Sequence, residues 1–290
     1  MAYQGLTSDQ WWDWFVAASE KPMPDRSNDY QLQDGVLWIR ASNFSLNPEQ
    51  VIALEAMLDA LPKLAGVRAI VFDARLNGGG DSSVGDRIFD AATGGLSYDT
   101  TGVEQLPQTY AQWRVSDVAI GDAEERVAQR RAQYGADSEE LRGAEDHLKA
   151  LQEARQTGEV WVTQVAGPRL DRAEIRRRGG HLRRFDGPIA LLTRSNCASS
   201  CLDFADLVLS VPSAVHLGQE TSSDTLYIDV ARGNLPSGNG FMIPLNVWRN
   251  RLRGNNESLI PDVPLDFDNM DEATLRARVI DVLHLPAEPH

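Results

Sequence analysis

Apolar positions along the chain fall into blocks whose spacing names the elements. "GVLWIRASNF" (35–44) is rich in β-branched and aromatic residues and predicts a strand. Asn47 then stands as a helix N-cap, with Pro48 at the first helical position. Apolar residues recur at Val51, Leu54, Met57, Leu58 and Leu61, a helical stripe that Gly66 ends. "VRAIVFDAR" (67–75) is apolar without alternation, as in a strand covered on both faces. Strand, helix and buried strand in that order predict an α/β fold.

Three glycines, Gly78, Gly79 and Gly80, follow that strand and open a further helix. From about 106 to 156 the pattern is charged and helical, with a break near Gly135, and reads as a helical hairpin serving as a cap or interaction arm. "GPIALLT" (187–193) predicts a second buried strand, and "NCASSC" is a turn leading into the helix "DFADLVLS". "AVHLGQET" and "TLYIDV" predict strands, and "LPSGNGFMIPLNVWR" a hairpin turning at Ser237 and Gly238. "DEATLRARVIDVLHL" closes as a helix. The first 21 residues predict another, capped by Ser8 or Thr7, with Trp11, Trp12, Phe15 and Val16 on its apolar side. The expected organisation is an N-terminal helical segment (1–34), an α/β core (35–99 and 180–290) and an inserted helical arm (100–179).

A length of 290 residues suits one large domain or one domain with an insertion. The formal charge of −14 argues against nucleic acid and against an anionic membrane surface. No apolar run approaches the roughly 20 residues that span a bilayer. The first residues lack the basic flank and apolar stretch of a secretory signal, which points to the cytosol unless a leader was removed. Lysines occur only at Lys21, Lys63 and Lys149. Cys197 and Cys201 are too few for a zinc site and read as small buried residues on one helical face. No metal or organic cofactor is expected.

Two turns carry the candidate chemistry. Glycines after a buried strand let the backbone approach a ligand closely. They suit a phosphate, an oxyanion or simply a tight turn, but the phosphate-loop lysine and the dinucleotide glycine spacing are absent. A serine between a buried strand and a helix start exposes its Oγ, and the next N–H sits at a helix N-terminus free to bind an oxyanion. Ser199 and Ser200 occupy that turn, where either also suits a helix cap.

Together these stretches resemble the carboxyl-terminal processing (tail-specific) family of serine peptidases. Asp73, Arg75, Asn77, Gly79 and Gly80 match its "DLRNNPGG"-type turn. "GPIALLTRSNCASSCLDFADLVLS" is similar to its "S-A-S-A-S-E-I-F-A" segment, which puts Ser199 on the nucleophile. Gly218 and Thr221 then fall on the glycine and threonine of its "G-E-P-T-x-G-K" strand end. The resemblance implies a Clp-protease/crotonase-like core of β-β-α units, a fold that often forms homo-oligomers. It implies a peptide or protein substrate, attack by Ser199, and an oxyanion held by the amides of Gly79 or Gly80 and of Ser200.

The chain departs from that family at the base. Asp224 stands where the family has its lysine, Leu202 replaces a glutamate, and Ile228 a glutamine. No lysine follows Lys149. No histidine stands near the first strand, where a tricorn-like branch carries one. The family's PDZ domain is also missing. A carboxylate of ordinary pKa, about 3.9, is a poor base for serine at pH 7. The base is therefore unassigned; Asp224 is a candidate for orienting a histidine, with His147, His181 and His216 as the candidate partners. Arg40, Thr221 and the run 176–178 are candidates for substrate contacts, the arginines for an acidic group or a terminal carboxylate. Three functions remain in play: a serine hydrolase, a silent relative that binds a peptide or small ligand in the same groove, and an acyl-processing enzyme that uses the oxyanion hole without a serine nucleophile.

Overall fold

The computed structural model describes residues 26–284; the expected N-terminal helix at 1–21 lies outside them. A six-stranded sheet runs in the order β1 (Asp29–Gln33), β2 (Val36–Arg40), β3 (Ala69–Asp73), β8 (Ile189–Thr193), β9 (Ala214–Gly218), β13 (Val263–Pro264). All neighbours pair parallel except β1 with β2. The mixed α/β architecture with a parallel sheet is the one the strand-helix-strand pattern predicts. Residues 29–33, expected in the N-terminal helical segment, are instead a strand. The reason is local: Asp34 and Gly35 both take positive φ (51° and 72°), the backbone of a two-residue hairpin turn.

The two sheet faces bury two cores. Helices α1 (Pro48–Ala60), α2 (Ser82–Thr93) and α6 (Ser200–Ser210) cover one face. There Leu37, Ile39, Ile70, Phe72, Ile189 and Leu191 meet Leu54, Ile88, Phe204 and Val208. On the other face Trp38, Val71, Ala190 and Leu192 pack against Leu275 and Val279 of α7 (Glu272–Val282). Residues on opposite faces alternate along each strand, yet both sets are buried, so the sequence shows a solid apolar run. Asn47 caps α1 reciprocally with Gln50, as its spacing predicts.

The segment between β3 and β8 is more than a helical arm. A short pair joins β4 (Leu96–Ser97) to β7 (His181–Leu182). The long helices α3 (Asp117–Tyr134) and α4 (Glu139–Thr157) break at Gly135, and α5 (Arg172–Arg177) follows. Flanking the two long helices, β5 (Gln108–Arg114) and β6 (Trp161–Pro168) form a sheet with β12 (Asn246–Arg249), which arrives from the far end of the chain. A third core ties these parts together through Trp113, Ala119, Leu151 and Leu245. "TLYIDV" is not the strand its composition predicts; a hairpin of β10 (Val230–Asn234) and β11 (Gly240–Pro244) begins only at its last residue.

Phe204 sits edge-on to Phe44 and Phe72, with ring centroids 5.6 and 5.5 Å apart. Its side chain joins the helix that follows Ser199 to β3. Phe204→Ala should cost about 3–5 kcal/mol, read as a lowered urea midpoint at unchanged slope.

Candidate functional site

The pairing of β3 with β8 aligns Asp73 with Leu192, so both strands end at the same edge of the sheet. Their exits are the glycine turn and the serine turn. The two motifs, more than 100 residues apart in sequence, therefore meet at the carboxyl ends of adjacent parallel strands, the usual ligand position in such sheets.

Ser199 is the N-cap residue of α6, at φ 54° and ψ −128°. A non-glycine residue in that region carries about 1–3 kcal/mol of backbone strain. Its hydroxyl makes no helix-cap bond, so it is free to face the cleft. Cys197 and Cys201 bracket it. Both are buried, as expected, and they are joined in a disulfide. Cys197 O also accepts the Ser222 N–H at 3.0 Å, tying the turn to the loop that carries Asp224.

The glycine turn is held by its neighbours. Buried Asn77 donates from Nδ2 to Ala41 O (2.7 Å) and accepts the Gly79 N–H on Oδ1 (2.8 Å). A Cβ on Gly79 would come within 2.8 Å of Ala198 O and 3.0 Å of the Ser199 Cβ. A Cβ on Gly80 would lie 2.3 Å from the Phe44 carbonyl carbon. Only glycine allows this approach at φ 105° and 137°. Of the two glycine amides expected to be available, Gly79's is taken by Asn77. Those of Gly80 and Ser200 have no hydrogen-bond partner among the described residues. Ser200 Oγ donates to Gly80 O at 2.6 Å, which sets the two residues side by side.

A cleft of about 880 Å³ contains Gly79, Gly80, Ser199, Ser200, Asp203 and Asp224 on the core side. Trp113, Arg126, Arg130, Gln164 and Trp248 close it from the other side, so the inserted segment folds over the core. Arg130 Nη1 pairs with Asp81 Oδ2, directly after Gly80, and Tyr134 Oη reaches the same oxygen at 3.3 Å. Burial, then the negative Asp81, pushes the Tyr134 phenol up to about 12.

No lysine or histidine lines this cleft among the described residues. His147 stacks on Trp113 with ring centroids 4.3 Å apart, one step behind the wall, and burial pushes its pKa down. His216 is buried on β9 against Thr193 Oγ1 (2.7 Å), and exposed His181 bonds Gly179 O (3.0 Å). None of the three candidate histidines is paired with Asp224.

Asp224 instead belongs to a charge cluster built around two buried arginines. Its Oδ1 pairs with Arg253 Nη1 and lies 3.6 Å from Arg251 Nη2. Arg253 also reaches Asp206 Oδ2 at 3.2 Å, and both arginines sit 3.6 Å from Asp203 Oδ1. The arginine side chains are 7% and 2% exposed. Burial raises the pKa of Asp203, and pushes Asp206 up to about 6 against the pull of Arg253. A lysine at 224 would bring a third cation against two buried ones. Asp224 is thus the counter-charge of Arg251 and Arg253.

The other sequence candidates lie elsewhere. Arg40 pairs with Asp29 and, with Arg75, lines a separate hollow of about 510 Å³ that does not include Ser199. The expected substrate contact at Arg40 is therefore not brought to the serine. Thr221 is buried, and its Oγ1 accepts the Leu259 N–H (2.9 Å) to fix the strand end. Arg177 and Arg178 of the basic run pair with Glu174.

The family model of peptidase family S41 matches residues 35–265. The chain belongs to peptidase family S41. That match covers both turns and agrees with the tail-specific resemblance of the motifs. No curated protein matches the chain. Mature CPAF complexed with lactacystin shares the fold, with a TM-score of 0.53 and 15% identity over 86% of this chain and 51% of that one. A CPAF mutant gives 0.54 and 11% over 91% and 54%. This S41 chain therefore spans about half the length of those structures.

Within this S41 chain, Asp224 should behave as a counter-charge. Asp224→Ala leaves Arg251 and Arg253 under-neutralised and should cost about 3–5 kcal/mol, measured by urea unfolding. A loss below about 1 kcal/mol would remove Asp224 from the cluster's support. The bridge is checked separately. Alkylation of denatured, unreduced protein should leave its mass unchanged, and prior reduction should give two adducts.

Proposed function

We propose that the chain is a serine hydrolase of the tail-specific peptidase type, acting on a peptide or other acyl substrate. The observation that carries it is Ser199 at a strained strand-to-helix turn beside two unpartnered amides. Ser199 Oγ attacks the carbonyl carbon, and its proton leaves to a base. The carbonyl oxygen becomes an oxyanion, received by the N–H groups of Gly80 and Ser200. Such donors act where charge develops, each worth about 2.7–4 kcal/mol in comparable sites. The leaving amine takes a proton, and water then releases the acyl group from Ser199. The inserted segment at 100–179 acts as the roof that excludes water. In this reading the parallel core is of the Clp/crotonase type, which its strand-helix-strand crossovers support.

The base is water or a carboxylate of the cleft rather than a lysine or histidine. Asp224 lines the cleft, but its carboxylate is engaged by Arg253 and Arg251, so the base stays unassigned. The same shortage of a strong base supports the second reading, a silent relative that binds a peptide in this groove.

Incubation with a fluorophosphonate followed by intact mass should add one label to the wild type and none to Ser199→Ala. Gly80→Ala, which drives a methyl into the Phe44 backbone, should lower the labelling rate at least 100-fold, in line with loss of an oxyanion donor. An unlabelled wild type across pH 6–9, with peptide affinity retained in Ser199→Ala, would favour the binding module.

A further inference from the structure

Two hydroxyls join the two halves of the cleft floor. Ser82 opens α2 and Ser200 opens α6. Ser82 Oγ lies 3.0 Å from Ser200 Oγ and 3.0 Å from Asp203 Oδ2. A serine hydroxyl has one hydrogen to give. That of Ser200 goes to Gly80 O at 2.6 Å. That of Ser82 is shared between Ser200 Oγ and the Asp203 carboxylate, so Ser82 holds Ser200 Oγ from behind.

This chain matters because of what it does to one peptide unit. The peptide before Gly79 is pinned by its N–H to Asn77 Oδ1 (2.8 Å). The peptide after Gly80 is pinned twice, by the Asp81 N–H to Phe44 O (2.9 Å) and by Ser200 Oγ to Gly80 O. Between them lies the peptide that carries the Gly80 N–H, flanked by two glycines without side chains to restrain it. The parallel bridge of Phe44 with Gly80 holds it on one side, and its pinned neighbours fix how far it can rotate. Losing the Ser200 contact leaves the peptide after Gly80 held by the Asp81 N–H alone, so the Gly80 carbonyl loses its side-chain anchor.

We propose that Ser82 is a positioning residue: acting through Ser200, it holds the Gly80 peptide so that the Gly80 and Ser200 amides converge on one substrate oxygen. This rests on the serine-hydrolase reading.

The test uses the full chain with p-nitrophenyl acetate, alongside fluorophosphonate labelling of Ser199. Ser82→Ala should lower kcat roughly tenfold, short of the roughly 100-fold or more lost with a whole donor, while KM stays within about twofold. Ser82→Thr keeps the hydroxyl and should return kcat to within about threefold of wild type. Ser82→Ala placed in a Ser200→Ala background should cause no further loss, because the two act as one unit. Three results would each overturn the proposal while Ser199 still labels: wild-type kcat in Ser82→Ala, equal losses in Ser82→Ala and Ser82→Thr, or additive losses in the double variant. A wild type that neither labels nor turns over sinks the hydrolase reading and this proposal together.

Discussion

The parallel pairing of β3 with β8 is the constraint on which the site depends. Its hydrogen bonds bring the ends of two distant buried strands to the same edge, so their exit turns must share space. The glycines are then a steric requirement. With a methyl on Gly80 the turn would meet the Phe44 backbone, and with one on Gly79 it would meet Ala198 and Ser199. The strain at Ser199 is met by packing behind it, where Phe204 locks α6 to β3 and the Cys197–Cys201 bridge closes the turn. A rigid core thus fixes a backbone conformation that an isolated turn would abandon.

Electrostatics set the second layer. Asp224 sets a carboxylate against Arg251 and Arg253, with Asp203 and Asp206 completing the cluster. A buried pair is costly to break but not intrinsically stabilising, since both partners lose water. Its value here is positional. Asp203 also receives Ser82, so the cluster reaches the peptide that carries the Gly80 amide. The roof is attached to the same place, through Arg130 on Asp81.

The core and the two turns were legible because their signals are local. β2, β3 and β8 are continuous apolar runs, α1 carries its own cap, and the serine turn falls between a strand and a helix. Other features depend on distant partners. β5 and β6 are largely exposed or half-buried and show no apolar run, and β5 takes support from β12, more than 100 residues away. The Asp34-Gly35 pair, by contrast, is itself a local hairpin signal between β1 and β2. Arg251 and Arg253 look like surface loop until Asp203, Asp206 and Asp224 are folded against them. Spacing showed two cysteines on one face, but only the turn geometry brings them into a bond.

The central claim is that Ser199 and the amides of Gly80 and Ser200 form one acyl-transfer site without a lysine. A crystal structure with a boronic acid tests it directly, because boron takes a tetrahedral geometry on a reactive serine. The account predicts a covalent bond from Ser199 Oγ to boron, with one boronate oxygen about 2.7–3.1 Å from both amide nitrogens. A boronate bound elsewhere, or one joined to Ser199 with its oxygens turned away from both amides, would contradict it.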